Sequence, residues 1–236
     1  MSTIVSSSTD QRIPPLRAGD FLTRDEFERR YFAMTEVIRA ELVEGVGYMP
    51  SPVCNDDHGN PHFNLITWLG IYQFATPGTQ GGDNSTCRLD LDNEFQPDAF
   101  LRILPELGGQ SRTVKGYVEG APELVAEVAA SSVSYDLHAK LNVYRRNGVR
   151  EYVVWRVWDA AIDWFILRAG QLVRLSPGDE GLHRSEVFPG LWLDSHALLS
   201  GNVKRVNEIA QQGIGSNEHD DFVARLQSRK TNAGQA

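Results

Sequence analysis

The sequence has few cysteines and no long apolar run. The first argues against a disulfide-stabilised protein and the second against a membrane-spanning one. Its two cysteines, Cys54 and Cys87, are too few for a disulfide framework, and their spacing fits no zinc-binding pattern. We therefore expect two reduced thiols. No stretch of about 18 apolar residues occurs, which argues against a membrane-spanning helix. The Ser/Thr-rich N-terminus lacks the segments of a secretory signal, so a cytoplasmic location is expected.

An excess of basic residues is also missing. The 23 Lys and Arg residues face 31 Asp and Glu residues, which gives a net charge of -8. Nucleic-acid binding is usually driven by a basic surface, because neutralised phosphates release counterions. Any DNA contact must therefore be confined to one face, with divalent metal to offset acidic groups there. Arg145, Arg146 and Arg150 form the densest basic cluster, which is either a solvated face or a phosphate-contacting patch.

The length of 236 residues suits one domain with less ordered ends. We expect a disordered N-terminal tail over 1–20, a mixed α/β domain over 21–201, and a C-terminal helix and flexible tail over 202–236, with the polar end starting near Gln227. In the first half, Thr23 caps a helix over 24–31, a hairpin starts at Glu41, and apolar spacing predicts a helix over 61–75.

The second half alternates strands with a helix. A strand is predicted over 95–104, and the apolar run 123–129 is typical of a buried central strand. A helix over 134–147 ends at Gly148, and a β-meander begins with a strand over 151–158. The pattern predicts a single α/β domain in which one helix connects two core strands.

Three residues carry the chemistry: Asp98 after a proline, Glu127 on the next core strand and Lys140 on the following helix. Phosphodiester hydrolysis needs a hard cation held by carboxylate oxygens, and this cation lowers the pKa of a bound water. A lysine ammonium adds a point charge near the phosphate. Acids on adjacent strands meet at one end of a sheet, and Glu127 lies in an apolar run where a lone charge is costly.

Each residue also has a purely structural interpretation. Asp98 suits a strand end, and Glu127 suits a solvated edge. Asp136 and Lys140, four residues apart, suit a surface ion pair worth about 0.3–0.5 kcal/mol. Singly, each is more easily explained as structural, so the hypothesis depends on the three together.

These motifs together resemble the Uma-type restriction endonuclease family, within the PD-(D/E)xK (restriction-endonuclease-like) nuclease superfamily. The resemblance covers about 41–199. The matching segments, in chain order, are the hairpin 41–45, the Ser/Pro stretch 50–52, His58-Gly59, Pro97-Asp98, the strand 122–128, the helix residues Asp136, Lys140 and Tyr144, Gly148-Val149, Glu151-Tyr152 and the closing segment 185–191.

The resemblance implies a restriction-endonuclease-like domain with a central mixed sheet flanked by helices. It also implies an endonuclease that hydrolyses DNA phosphodiester bonds with Mg²⁺, for which Mn²⁺ can substitute. The usual active-site lysine position is Ala129 here, and Lys140 on the next helix is the implied replacement. The family adds a hairpin acid to the metal ligands Asp98 and Glu127. Glu41 is our first choice and Glu44 the second, because at most one faces inward.

Several roles stay open at this point. His58 either contacts the phosphate or orients the hairpin acid, or it bonds to backbone at a helix start. Tyr144 either steadies Lys140 or only packs. The aromatic run of the meander suits the core or a subunit interface better than base stacking. The alternative to a nuclease is a weak or inactive nuclease-fold protein that binds nucleic acid or regulates, and a small phosphate-ester hydrolase is a third option. Two-strand cleavage favours a homodimer.

Overall fold

The computed structural model describes residues 12–36, 39–49 and 54–233. Its helices are α1 Arg24–Tyr31, α2 Asn60–Ala75, α3 Val133–Tyr135, α4 Leu141–Arg146, α5 Ser195–Leu199, α6 Val203–Ile214 and α7 Asn217–Ala233. Its strands are β1 Glu41–Val43, β2 Val46–Tyr48, β3 Thr79–Asp83, β4 Cys87–Arg88, β5 Glu94–Phe95, β6 Ala99–Ile103, β7 Arg112–Val114, β8 Tyr117–Glu119, β9 Leu124–Ala129, β10 Glu151–Arg156, β11 Ala161–Arg168, β12 Gln171–Arg174, β13 Leu182–Arg184 and β14 Trp192–Asp194.

A mixed six-stranded sheet forms the centre of the molecule, in the order β12-β11-β10-β9-β6-β3. Only β9 and β10 run parallel within it, and the other neighbours are antiparallel. A parallel pair needs a crossover, and α3 and α4 supply it between β9 and β10. The predicted mixed α/β class, the connecting helix and the meander β10-β11-β12 are confirmed.

Strand β9 is buried along its whole length because both faces of the sheet are covered. Leu124 and Val128 pack on the side of α2 and α6, and Val125 and Ala129 pack on the side of α4. Side chains alternate along a strand, so Glu127 shares the α4 side with Val125 and Ala129. This alternation directs the glutamate towards the crossover helix.

A second six-stranded sheet of short strands, in the order β2-β1-β5-β4-β8-β7, carries the predicted hairpin. Glu44 and Gly45 form its two-residue turn with φ angles of 51° and 77°. Positive φ at both positions is the geometry of a tight hairpin turn, which glycine adopts at no steric cost. The turn sets the register in which Glu41 lies opposite Tyr48.

The predicted strand over 95–104 is wrong as one element. It divides into β5, which belongs to the second sheet, and β6, which belongs to the central sheet. Pro97 lies in the break, since its ring nitrogen has no hydrogen to donate to a ladder. The break places Asp98 where the two sheets meet.

Other element boundaries also differ from the predictions. The helix expected over 134–147 contains a π-helical turn, Asp136–Lys140, and a second such turn, Asn55–Gly59, precedes α2. The strand expected over 151–158 ends at Arg156. Helix α7 continues through Ala233, beyond the expected start of the polar tail at Gln227.

The Ser/Pro stretch 50–52 lies wholly outside the described residues, and the expected tails lie partly outside them, since the description begins at 12 and ends at 233. Within the described part of the N-terminal tail, Leu16 is buried and Gly19 N donates to Gly47 O (2.8 Å). Both cysteines are free, with Cys54 exposed and Cys87 buried. None of the helices in the described ranges has the length and apolar content that crossing a membrane would take.

Candidate active site

Asp98, Glu127 and Lys140 come together where the two sheets meet. Asp98 immediately precedes β6, and Glu127 lies on the neighbouring strand β9. The backbone N–H of Asp98 donates to Glu127 Oε2 (3.4 Å), and Asp98 Oδ2 accepts from the N–H of Val128 (2.8 Å). Lys140 Nζ lies 2.9 Å from Glu127 Oε1. The three residues identified from the sequence therefore form one cluster.

Glu127 is buried and accepts two hydrogen bonds at one oxygen. Lys140 Nζ and the hydroxyl of Tyr144 each donate to Oε1 at 2.9 Å. Burial raises the pKa of Glu127 to about 8, although the ammonium of Lys140 opposes the shift. Burial alone would lower the pKa of Lys140, but Glu127 and Glu41 raise it well above its ordinary value. Lys140 is therefore a permanent cation.

Asp98 has the opposite electrostatics. Burial would raise its pKa, but the hydrogen bond and charge of His58, with Arg39 and the Val128 N–H, hold that pKa well below its ordinary value. His58 Nε2 lies 3.1 Å from Oδ2, and Arg39 Nη1 lies 3.3 Å from Oδ1. His58 thus contacts Asp98, not the hairpin acid. His62 adds a contact of 2.7 Å to the Asp98 carbonyl.

The two hairpin glutamates point in opposite directions. Glu41 is buried, lies 3.2 Å from Lys140 Nζ through Oε2, and accepts from Gln96 N through Oε1 (3.0 Å). Glu44 is exposed in the turn and pairs with Arg146 (2.6 Å). The structure brings Glu41 to the cluster and leaves Glu44 outside it.

Asp136 completes the acidic surroundings of the lysine. It lies 3.7 Å from Lys140 Nζ and accepts from Ser132 Oγ (2.5 Å). Asp136 begins the π-helical turn Asp136–Lys140 and Lys140 ends it, and His58 lies in the other π-helical turn, Asn55–Gly59. Such turns are rare and occur often at functional sites. Here they direct one amine and one imidazole towards acids on the central sheet.

A cavity of about 330 Å³ opens over the cluster. Its lining consists of Arg39, Glu41, Tyr48, Met49, Cys54, Asp57, His58, Asp98, Glu127, Val128, Ala130, Ser131, Ser132, Tyr135, Asp136, Lys140 and Trp158. The acids lie at its floor, with Asp98 exposed by 2% and Glu127 by 3%. A reacting group must therefore enter the cavity to reach them.

The sequence analysis missed Arg39, Ser132 and Tyr135. Arg39 contacts both Glu41 and Asp98, and its position two residues before Glu41 is the only signal that the sequence offers. Tyr135 places its ring 5.4 Å from Lys140 Nζ, within the range of cation–π contacts. None of these three residue types indicates a functional site unless the fold is known.

The basic cluster and the aromatic run also have defined positions. Arg146 pairs with Glu44 and Arg145 donates to the carbonyl of Gly170 (3.1 Å), so neither faces the cavity. The meander aromatics are mostly buried core, as expected. Trp158 differs, because it lies in the β10–β11 turn, is 64% exposed and lines the cavity.

The cluster suits a hard divalent cation by donor type. Oxygen ligands are those that Mg²⁺ prefers, and Glu41, Asp98 and Glu127 supply them. With Asp136, the four carboxyl groups of the cluster line the cavity together with Arg39 and Lys140. No three His, Cys, Asp or Glu side chains within the described residues are arranged to hold a metal as they stand. The ion pairs would have to open to admit one.

A mixed sheet that carries two acids and a lysine at one cavity is the arrangement of restriction-endonuclease-like nucleases. Within that class, the chain belongs to the Uma2 family, described as "Putative restriction endonuclease", whose model matches residues 24–196. The predicted family is thereby confirmed, and membership indicates nuclease function and thus a hydrolase.

Comparison with solved structures found a protein described as "a putative nuclease belonging to DUF820 from Anabaena variabilis ATCC 29413". The two chains are 14% identical with a TM-score of 0.49, and the match covers 72% of this chain and 97% of that one. No curated protein matches the chain.

Proposed function

We propose that this chain is a metal-dependent endonuclease that hydrolyses phosphodiester bonds in DNA. Glu41, Asp98 and Glu127 hold Mg²⁺, which Mn²⁺ can replace, and Lys140 assists the attacking water. The observation that carries the proposal is the meeting of acids from neighbouring strands with a buried ammonium at one cavity floor. Membership of the restriction endonuclease family supports the reaction class.

Each residue has a defined task in this reaction. A bound divalent cation would lower the pKa of a water and offset charge on the phosphate. Lys140, held protonated by Glu127 and Glu41, supplies a fixed positive charge beside the phosphate and the attacking water. Tyr144 fixes the orientation of Glu127, and His58 fixes that of Asp98, as hydrogen-bonded supports do for metal-binding carboxylates.

The shape of the site restricts how DNA approaches. The acids lie below the cavity mouth, and the dense arginine cluster is directed elsewhere. Contact is then confined to one face, which agrees with the acidic net charge. Trp158 at the mouth offers an exposed ring on which a base can stack.

The test is cleavage of plasmid and of single- and double-stranded oligonucleotides by purified protein in EDTA, Mg²⁺ or Mn²⁺. We expect cleavage only with metal, and its loss in Asp98→Ala. Asp179→Ala, at an exposed loop position, serves as the matched control and should cleave normally. Absence of cleavage under every condition, or equal activity of the Asp98→Ala protein, would refute the catalytic proposal.

A second candidate is a nuclease-fold protein without catalytic activity that binds nucleic acid or regulates. It is favoured by one observation: every acid of the cluster already has a cationic or hydrogen-bonding partner. Intact DNA binding without calorimetric binding of Mn²⁺ would support this candidate over the enzyme.

Sedimentation with and without DNA tests the proposed homodimer, which would bring two sites to the two strands.

A further inference from the structure

Arg39 lies between two of the acids assigned to the metal. Its Nη1 is 3.3 Å from Asp98 Oδ1, and its Nη2 is 3.5 Å from Glu41 Oε1. Glu41 lies on β1 of the second sheet and Asp98 immediately precedes β6 of the central sheet, and the guanidinium spans the gap between the two acids. Arg39 thus contacts Glu41 and Asp98, whereas Lys140 contacts Glu41 and Glu127, and both cations line the cavity.

The guanidinium is held loosely by the acids. Charge-assisted N–H···O bonds are typically about 2.7–2.9 Å, and both carboxylate contacts of Arg39 are longer. Its short bond goes to the carbonyl of Gln96 (2.5 Å). Nε is buried and has no hydrogen-bond partner among the described residues. A buried N–H without an acceptor is costly, so this arrangement leaves Arg39 with an unused donor.

A divalent cation and Arg39 compete for the same oxygens. A cation bound by Glu41 and Asp98 would take oxygens that now face the guanidinium, and two positive groups at that spacing repel. The proposed nuclease function already requires such a cation, and the following inference rests on it. We propose that Arg39 is a built-in counter-ion that the metal displaces from Glu41 and Asp98, and that the released guanidinium then binds a phosphate of the nucleic acid.

This arrangement couples two binding events. Without metal, Arg39 neutralises acids that would otherwise repel one another and the incoming phosphate. With metal bound, the acids no longer hold it, and its planar fork of donors matches phosphate oxygens. Because coupling between two ligands is reciprocal, metal strengthens phosphate binding and phosphate strengthens metal binding by the same factor. Arg39 is then a phosphate-binding residue whose availability depends on the metal.

The test measures binding, so it does not depend on activity. Calorimetry gives the Kd for Mn²⁺ and, with and without Mn²⁺, the Kd for thymidine 3′,5′-bisphosphate, a probe without a diester bond to cut. In Arg39→Gln we expect Mn²⁺ to bind at least about fivefold more tightly and the bisphosphate at least about fivefold more weakly, with less coupling between them. Arg30→Gln is the matched control, since Arg30 also bridges two acids, Asp20 and Glu26, and should bind both ligands like the wild type.

The outcomes separate this inference from the proposed function. If the wild type binds Mn²⁺ and Arg39→Gln binds it equally or more weakly, the counter-ion role is wrong and the nuclease proposal stands. If no form of the protein binds Mn²⁺, both fail.

Should Arg39→Gln not fold, Arg39→Lys is the second variant, because it keeps the positive charge but lacks the planar fork of guanidinium donors. We then expect Mn²⁺ affinity within about twofold of the wild type and weaker bisphosphate binding, and unchanged bisphosphate binding would overturn the role.

Discussion

The ammonium of Lys140 lies 2.9 Å from Glu127 Oε1, although the two residues belong to different elements that the sheet and its crossover bring together. The same ammonium lies 3.2 Å from Glu41 Oε2. One buried cation is thus shared by an acid of the central sheet and an acid of the second sheet. Stability and the proposed chemistry both depend on this shared charge.

Replacing Lys140 with methionine should damage both properties. We expect DNA cleavage to fall at least about 100-fold, because a fixed charge beside the phosphate is lost. The free energy of unfolding should fall by about 3–5 kcal/mol, since buried acids lose their cation. Cleavage rates and denaturant unfolding measure the two effects. Lys204→Met, at a position with an 88% exposed side chain, is the control and should change neither. A stable and active Lys140→Met protein would contradict the assignment.

Tyr144→Phe should show whether the Tyr144 hydroxyl positions Glu127 or whether the ring only packs in the core. The ring keeps its edge contact with Phe95, and only the hydroxyl that donates to Glu127 is removed. We expect about 1–3 kcal/mol of destabilisation and a loss of cleavage well beyond that of Tyr72→Phe, the matched control. Tyr72 is equally buried and donates to the carbonyl of Pro189 (2.9 Å), away from the cavity. Equal cleavage by the two variants would leave Tyr144 with a packing role alone.

Much of the core of the site was readable from the sequence. Glu127 stood out because a charge inside an apolar strand needs a partner, and the partner is Lys140. The choice between Glu41 and Glu44 needed the structure, since their separation shows only that they face opposite sides. The π-helical turn that ends at Lys140 left no sequence signal, because its residues suit an ordinary helix equally well.

What the sequence missed depends on contacts between distant segments. Arg39 precedes a short strand, and apart from its position two residues before Glu41 nothing local distinguishes it from a surface arginine. Its contact with Asp98 spans 59 positions and exists only because the second sheet meets the central one. The strand predicted over 95–104 failed for a related reason, since its two halves join different sheets. The hydrophobic periodicity of a sequence indicates which residues of one element are buried, but it does not indicate how two sheets meet.

Trp158→Ala should weaken binding of single-stranded DNA. The exposed ring lines the cavity mouth, and stacking of one base on an aromatic side chain is worth about 1–3 kcal/mol. We expect at least about a fivefold rise in the Kd of a labelled oligonucleotide, measured by anisotropy, with unfolding unchanged. Phe74→Ala removes another exposed aromatic, 87% accessible on α2, and should bind normally. An unaffected Kd in Trp158→Ala would exclude stacking there.

Glu151 should make stability depend on pH. Burial raises its pKa from an ordinary 4.5 to about 7, against hydrogen bonds from Ser185 Oγ, two backbone N–H groups and Trp164 Nε1. The folded state thus holds a proton that the unfolded state releases between these values. The contribution of Glu151 is present below pH 4.5 and lost as the pH rises through about 7. We expect the Tm of the wild type minus that of Glu151→Gln to be more positive at pH 5 than at pH 7.5, and the reverse trend would show that the donors outweigh burial.

Glu41 and Glu44 offer the sharpest comparison, because the same substitution tests a cavity acid and a surface acid of one hairpin. Glu41 is buried beside Lys140, so Glu41→Gln should weaken Mn²⁺ binding at least about tenfold and lower cleavage with it. Glu44 is exposed and pairs with Arg146 at the surface, so Glu44→Gln should change stability by less than about 0.5 kcal/mol and leave Mn²⁺ affinity unchanged. Calorimetry with Mn²⁺ measures both. If Glu44→Gln loses affinity while Glu41→Gln keeps it, the hairpin must turn its other face to the metal, and the ligand set proposed here is wrong.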